Sequence, residues 1–210
     1  MMIDELEVVH RAATNRQAGY AVIAAPHPLY GGSLDNPVVE ALAEGFAQRG
    51  VGTLCFNYRG IGHSAGDASD SVPRAAEDYA RVVAWARAQL ASSSAPLYAA
   101  GYSFGAITAI AYALGDDPRA APPLRALVLV APPLGMLGGV ELARASCESF
   151  VLVGGNDAFL PLAAARESLA RIPSCRMIEN DADHFFAYEL DDVRSFASNA
   201  VSAPGTTVPP

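Results

Sequence analysis

The stretch Leu97-Tyr98-Ala99-Ala100-Gly101-Tyr102-Ser103-Phe104-Gly105-Ala106 decides the fold. Its first four residues form an apolar run of strand length, and Ala106, Ile107, Ala109, Ile110, Ala111, Ala113 and Leu114 continue it as a helical pattern closed by Gly115. The chain must therefore turn sharply from strand to helix at Ser103. Such a turn crowds the backbone, and Gly101 and Gly105 remove the Cβ atoms that would clash on either side of it. Ser103 is left strained, with its hydroxyl projecting into open space. It also precedes a helix N-terminus, whose free N–H groups favour nearby negative charge.

Outward from this turn, short apolar runs alternate with longer helical segments. Residues 19–25, 51–57, 97–102, 125–131, 149–154 and 175–178 read as strands, and residues 5–9 as an added edge strand. Residues 37–48, 73–90, 104–114, 138–145, 160–171 and 187–200 read as helices. Strands separated by helices imply right-handed crossovers, hence an α/β fold with a mostly parallel twisted sheet covered by helices on both faces. The 210 residues suit one domain over 1–200, with 201–210, rich in Pro, Thr and Ser, as a disordered tail. No internal repeat is present.

In such sheets ligands bind beyond the carboxyl ends of the strands. Three chemically capable residues fall there: Ser103 after the 97–102 strand, Asp157 after the 149–154 strand, and His184 after the last strand. A serine hydroxyl is a poor nucleophile at neutral pH. It needs an imidazole to take its proton, and the imidazole needs a carboxylate to fix its tautomer and steady its positive charge. Ser103, His184 and Asp157 are the candidates for these roles. Asp181 and Asp183 compete with Asp157, although adjacent side chains diverge and Asp183 is poorly placed to orient His184. Of the other histidines, His10 lies in the edge strand, His63 in a Gly-rich turn, and His27 in a loop that it would order.

Composition removes other chemistries. All 14 basic residues are arginine, so there is no lysine for a Schiff base, a pyridoxal phosphate anchor or a P-loop. A formal charge of −8 without a basic cluster argues against nucleic acid and anionic membrane surfaces as partners. No apolar run approaches the roughly 18 residues of a bilayer span. Asp4, Glu5 and Glu7 stand where an export signal would be basic, and Cys55, Cys147 and Cys175 are few and scattered. Together these predict a cytoplasmic protein without a disulfide framework. No metal-ligand spacing occurs, and neither a metal nor an organic cofactor is implied. Gly60-Ile61-Gly62-His63-Ser64-Ala65 fits the loose G-x-G-x-x-G/A pattern, but the next helix starts near 71–73 and Trp85 stands where an acidic residue should end a strand. Nucleotide binding is rejected there, and Arg59 in this turn is read as structural, bonding to loop carbonyls.

Gly-Tyr-Ser-Phe-Gly at 101–105, Gly-Gly-Asn-Asp at 154–157, Asp-His-Phe-Phe at 183–186 and Asn-Tyr-Arg-Gly-Ile-Gly-His-Ser at 57–64 resemble, in order, the landmarks of the α/β-hydrolase superfamily. The loop His27-Pro28-Leu29-Tyr30-Gly31-Gly32 is similar to that of small bacterial members. The resemblance implies a serine hydrolase that uses Ser103, Asp157 and His184. It implies an oxyanion hole formed by the loop after the 19–25 strand together with the Phe104 amide. Pro28 has no N–H, so the loop donor is Leu29, with Tyr30 as the alternative.

Relatives often insert a helical lid after the strand that ends here at Ala131, whereas only residues 132–148 intervene before the next strand. The fold is therefore expected to be minimal, without a separate cap domain, and its cleft open and edged by Tyr30, Leu134, Phe159 and Phe185. That lining suits small uncharged acyl esters or thioesters, handled by a monomer or homodimer. The rival readings are a peptidase, a lyase or a haloperoxidase-like activity on the same fold, or a non-catalytic binding protein.

Overall fold

A computed structural model describes residues 1–90, 95–115, 124–136 and 142–202. Among the described residues eight strands form one sheet: β1 (Met2–Ile3), β2 (Leu6–Arg11), β3 (Tyr20–Ala24), β4 (Gly52–Phe56), β5 (Leu97–Tyr102), β6 (Ala126–Val130), β7 (Glu148–Gly154) and β8 (Cys175–Asn180). Their order across the sheet is β1-β2-β4-β3-β5-β6-β7-β8. From β4 to β8 every pairing is parallel, and β1 and β2 add an antiparallel edge. This is the α/β-hydrolase fold.

The central strands are buried along their whole length, β4, β5, β6 and β7 without an exposed residue. That is why they read as continuous apolar runs rather than alternations. Helices α1 (Pro37–Ala47) and α5 (Leu190–Ser202) cover one face, where Phe46, Leu42, Val193 and Phe196 pack on Ile23, Val128 and Leu152. Helices α2 (Val72–Ala88), α3 (Phe104–Ala113) and α4 (Leu162–Leu169) cover the other, where Tyr79, Val82, Ile110 and Leu169 meet Val22, Leu54 and Leu127. Asn36 caps α1 by accepting the Val38 N–H at 2.9 Å, and Pro37 occupies the first helical position, where a missing N–H costs nothing.

Several boundaries differ from the sequence reading. The edge is a hairpin: Asp4 and Glu5 both take positive φ (43° and 68°), so β1 folds back on β2, and β2 extends to Arg11. The last helix starts at Leu190 rather than 187, because fully buried Phe186 takes a φ of 53° and holds the chain in a turn. It also takes in Val201 and Ser202 of the expected tail, of which residues 203–210 lie outside the described ones. Helix α4 is shorter than 160–171, since Leu160 turns into the core ahead of Pro161. Residues 138–141 of the expected 138–145 helix also lie outside the described residues.

Because β4 lies on one side of β3 and β5 on the other, the chain leaves the carboxyl ends of β3 and β5 in opposite directions. A crevice opens between them, as at other switch points of open α/β sheets.

Candidate active site

Ser103 occupies that crevice. Its backbone takes φ 53° and ψ −118°, a region L-residues rarely occupy, and its N–H is fixed to the Val130 carbonyl at 2.9 Å. The flanking glycines allow this. A Cβ on Gly101 would lie 2.2 Å from the Gly105 carbonyl oxygen, and one on Gly105 would lie 2.2 Å from that of Ala24. Any side chain at either position would push α3 off the sheet.

The structure brings Ser103, His184 and Asp157 together. His184 Nε2 lies 2.9 Å from Ser103 Oγ, and His184 Nδ1 lies 2.7 Å from Asp157 Oδ2. A carboxylate can only accept, so Nδ1 carries the imidazole proton and Nε2 presents its lone pair to the serine hydroxyl. Asp157 is itself held, since its Oδ1 accepts the Phe159 N–H at 2.7 Å and the Leu160 N–H at 3.1 Å. Its side chain is fully buried and that of His184 nearly so, which strengthens both contacts. Asp183 does not reach the imidazole. It accepts the Phe185 and Phe186 amides and shapes the turn that presents His184. Asp181 lends its carbonyl to the Asn156 side chain.

The backbone donors are unequal. Phe104 is the first residue of α3, so its N–H has no acceptor within the helix. Leu29 lies in a short 3-10 turn, Pro28–Tyr30, and its N–H donates to His27 Nδ1 at 3.3 Å. The Tyr30 N–H donates to the His27 carbonyl at 3.1 Å. His27 packs its ring on Tyr30 and Phe104, with centroids 4.4 and 4.9 Å away, which orders the loop.

A cleft of about 530 Å³ opens over Ser103. Tyr30, Phe159 and Phe185 line it as expected from the sequence; Leu134 does not. A 3-10 turn tucks Leu134 into the core, 3% exposed, and Pro133 takes its place at the cleft. None of the described lining residues is Arg, Asp or Glu.

Arg59 is bound chiefly by carboxylates. Its guanidinium meets buried Asp78 at 2.7 Å and Glu77 at 3.0 Å, and it also donates to the Arg74 carbonyl. The glycine-rich turn at 60–65 is folded back by Gly60 N–H to the Ala65 carbonyl, and α2 begins only at Val72, as the rejection of a nucleotide site requires. His63 of that turn is claimed by Glu7, whose carboxylate also accepts the Asn57 side-chain amide. Among the described residues no cluster of three or more His, Cys, Asp or Glu could hold a metal, and no helix is long and apolar enough to cross a membrane.

The chain is similar in sequence and fold to several known proteins. A family model described as serine aminopeptidase, S33, matches residues 36–145. An uncharacterised protein of Rickettsia prowazekii is 26% identical over 197 residues, 89% of this chain and 80% of that one. An α/β serine hydrolase homologue from Coxiella burnetii superposes with a TM-score of 0.80 at 27% identity, covering 92% of this chain and 90% of the other. A Xanthomonas campestris protein described as an α/β serine hydrolase without a lid gives 0.81 at 27% identity, covering 94% and 88%.

Proposed function

The chain belongs to the serine aminopeptidase S33 family of α/β hydrolases, and on that premise we propose that it cleaves small uncharged esters or thioesters by two-step acyl transfer at Ser103. The supporting observation is the hydrogen-bonded line Asp157, His184, Ser103, at 2.7 and 2.9 Å. Ser103 Oγ attacks the carbonyl carbon while its proton passes to His184 Nε2. Asp157 holds the imidazolium that forms, and the same proton then goes to the leaving group. Water, deprotonated by His184, releases the acid and restores the serine.

The negative oxygen of each tetrahedral intermediate is received by the Phe104 amide and by the Leu29 amide. The Leu29 bond to His27 is longer than an ordinary N–H hydrogen bond and is exchanged for a stronger one to an anion. Removing one such donor costs roughly 3 to 4 kcal/mol of transition-state stabilisation.

The family description favours a second reading, an aminopeptidase. Such an enzyme must bind a protonated amine beside the scissile bond, which calls for a carboxylate facing the cleft. The described lining offers none, and Asp157 is already committed to His184 and two amides. Ester chemistry fits the lining better. In the same reading the protein acts in the cytoplasm on a small molecule.

Fluorophosphonate labelling followed by peptide mapping tests the nucleophile, with modification at Ser103 and none in Ser103→Ala as the expected result. Acetyl esters, acetyl thioesters and aminoacyl anilides assayed side by side test the substrate class. Turnover confined to the anilides would establish the aminopeptidase instead.

A further inference from the structure

Two groups of aromatic rings line the cleft with Ser103, and they belong to different halves of the proposed reaction. One is His27, Tyr30 and Phe104, beside the backbone amides assigned to the oxyanion. The other is a pair of phenyl rings next to the His184 imidazole. The Phe159 centroid lies 4.6 Å away at 46°, and that of Phe185 lies 5.7 Å away at 86°.

This placement assigns directions. The leaving oxygen must take its proton from His184 Nε2, so the group attached to that oxygen departs past the imidazole and against Phe159 and Phe185. Both rings are more than 60% exposed and both line the cleft. Their backbones are fixed, Phe159 through its N–H to Asp157 and Phe185 through its N–H to Asp183, so the rings are presented to solvent from rigid turns. Exposed phenyl surface on a rigid support gains from being covered by an apolar group. The two rings stand at different inclinations to the imidazole, and such an arrangement offers a third ring both a face and an edge, the geometry that aromatic groups prefer. The absence of Arg, Asp or Glu from the described lining makes an ionised leaving group a poor guest.

We infer that Phe159 and Phe185 form the leaving-group subsite and that it takes an aromatic ring, so that the preferred substrates are uncharged esters of arylalkyl alcohols. The inference rests on the assignment of Ser103 and His184 above. In acylation the bond from Ser103 Oγ to the acyl carbon forms and the carbon–oxygen ester bond breaks. The serine proton, carried by His184, leaves on the alcohol. Phe159 and Phe185 are specificity-determining residues and take no part in proton transfer.

The test holds the acyl group constant. Ethyl, benzyl and cyclohexylmethyl acetate are hydrolysed by the full chain and followed by acid release, benzyl and cyclohexylmethyl alcohol being alike in size. Benzyl acetate is expected to exceed cyclohexylmethyl acetate about 2- to 10-fold in kcat/KM, and Phe159→Leu and Phe185→Leu to bring that ratio close to one. Because the readout is a ratio, any disturbance of His184 by these variants cancels. Equal rates for the two esters in the wild type would overturn the inference even if neither variant folds, as would a ratio that both leucine variants preserve. If ethyl acetate turns over in a Ser103-dependent way without a preference for benzyl, only the subsite fails. If no ester turns over and Ser103 resists fluorophosphonate, the hydrolase reading falls, and the subsite with it.

Discussion

The hydroxyl of Tyr102 donates to the carbonyl of His184 at 3.0 Å. The residue immediately before Ser103 thus holds the backbone of His184, coupling two groups far apart in sequence. Tyr102 is buried, and desolvation, reinforced by the charges of Asp157 and Asp183, raises its phenol well above the ordinary value, so it remains a donor. Tyr102→Phe leaves the ring packing in place but frees the His184 carbonyl and the turn that carries it. Steady-state kinetics are expected to show kcat lower by roughly 10-fold, since small misplacements of a catalytic group are costly, with KM little changed. A change in KM alone would mean that Tyr102 serves the cleft rather than the base.

Asp157→Asn tests the tautomer argument. An amide nitrogen turned toward Nδ1 would force the imidazole proton onto Nε2, leaving nothing to accept the serine proton. The expected loss in kcat is about 10³- to 10⁴-fold, with the far-UV circular dichroism unchanged because Oδ1 can still accept the Phe159 and Leu160 amides. Asp183→Asn, which alters only the turn beside the imidazole, is expected to cost far less. Equal losses in the two variants would undo the assignment of Asp157.

What the sequence made legible was local. Gly101, Ser103 and Gly105 announce their turn because its steric demand falls on residues two apart, and the buried parallel strands announce themselves as unbroken apolar runs. Contacts between distant residues carry no such signature. Glu7 binding His63 and Asn57, the Arg59–Asp78 pair and the Tyr102–His184 bond all depend on which strands become neighbours. The Asp4–Glu5 turn lacked the glycine or asparagine that usually marks a two-residue hairpin. Leu134 misled because an apolar residue just past a strand end serves a cleft or a core equally well. Only the 3-10 turn that follows decides between them.

Gly105→Ala tests the close approach of α3 to β3. The new methyl would lie 2.2 Å from the Ala24 carbonyl oxygen and 2.5 Å from that of Ala25, both backbone atoms that cannot swing aside. The helix must move, at a cost of about 1 to 3 kcal/mol, and the Phe104 amide moves with it. Urea denaturation should therefore show a lower midpoint, and the esterase assay a fall in kcat larger than the lost folded fraction explains. A variant with wild-type stability and rate would contradict the packing described.

Glu7 ties the antiparallel edge to the turn after β4. Its carboxylate accepts the His63 N–H, the His63 ring nitrogen and the Asn57 side-chain amide, each at 2.8 Å, and Asn57 in turn accepts the Leu34 N–H. The His63 backbone and ring bonds, followed by that of Asn57, lower the Glu7 pKa from 4.5 to about 2. A carboxylate depressed on folding contributes stability that is complete above its unfolded pKa and disappears as pH falls through the folded one. Glu7→Gln is thus expected to cost about 1 to 2 kcal/mol near neutrality, and its deficit relative to wild type to narrow between pH 4.5 and about 2. Urea midpoints across that range decide it, since a deficit unchanged down to the acid end would mean that Glu7 acts by shape and not by charge.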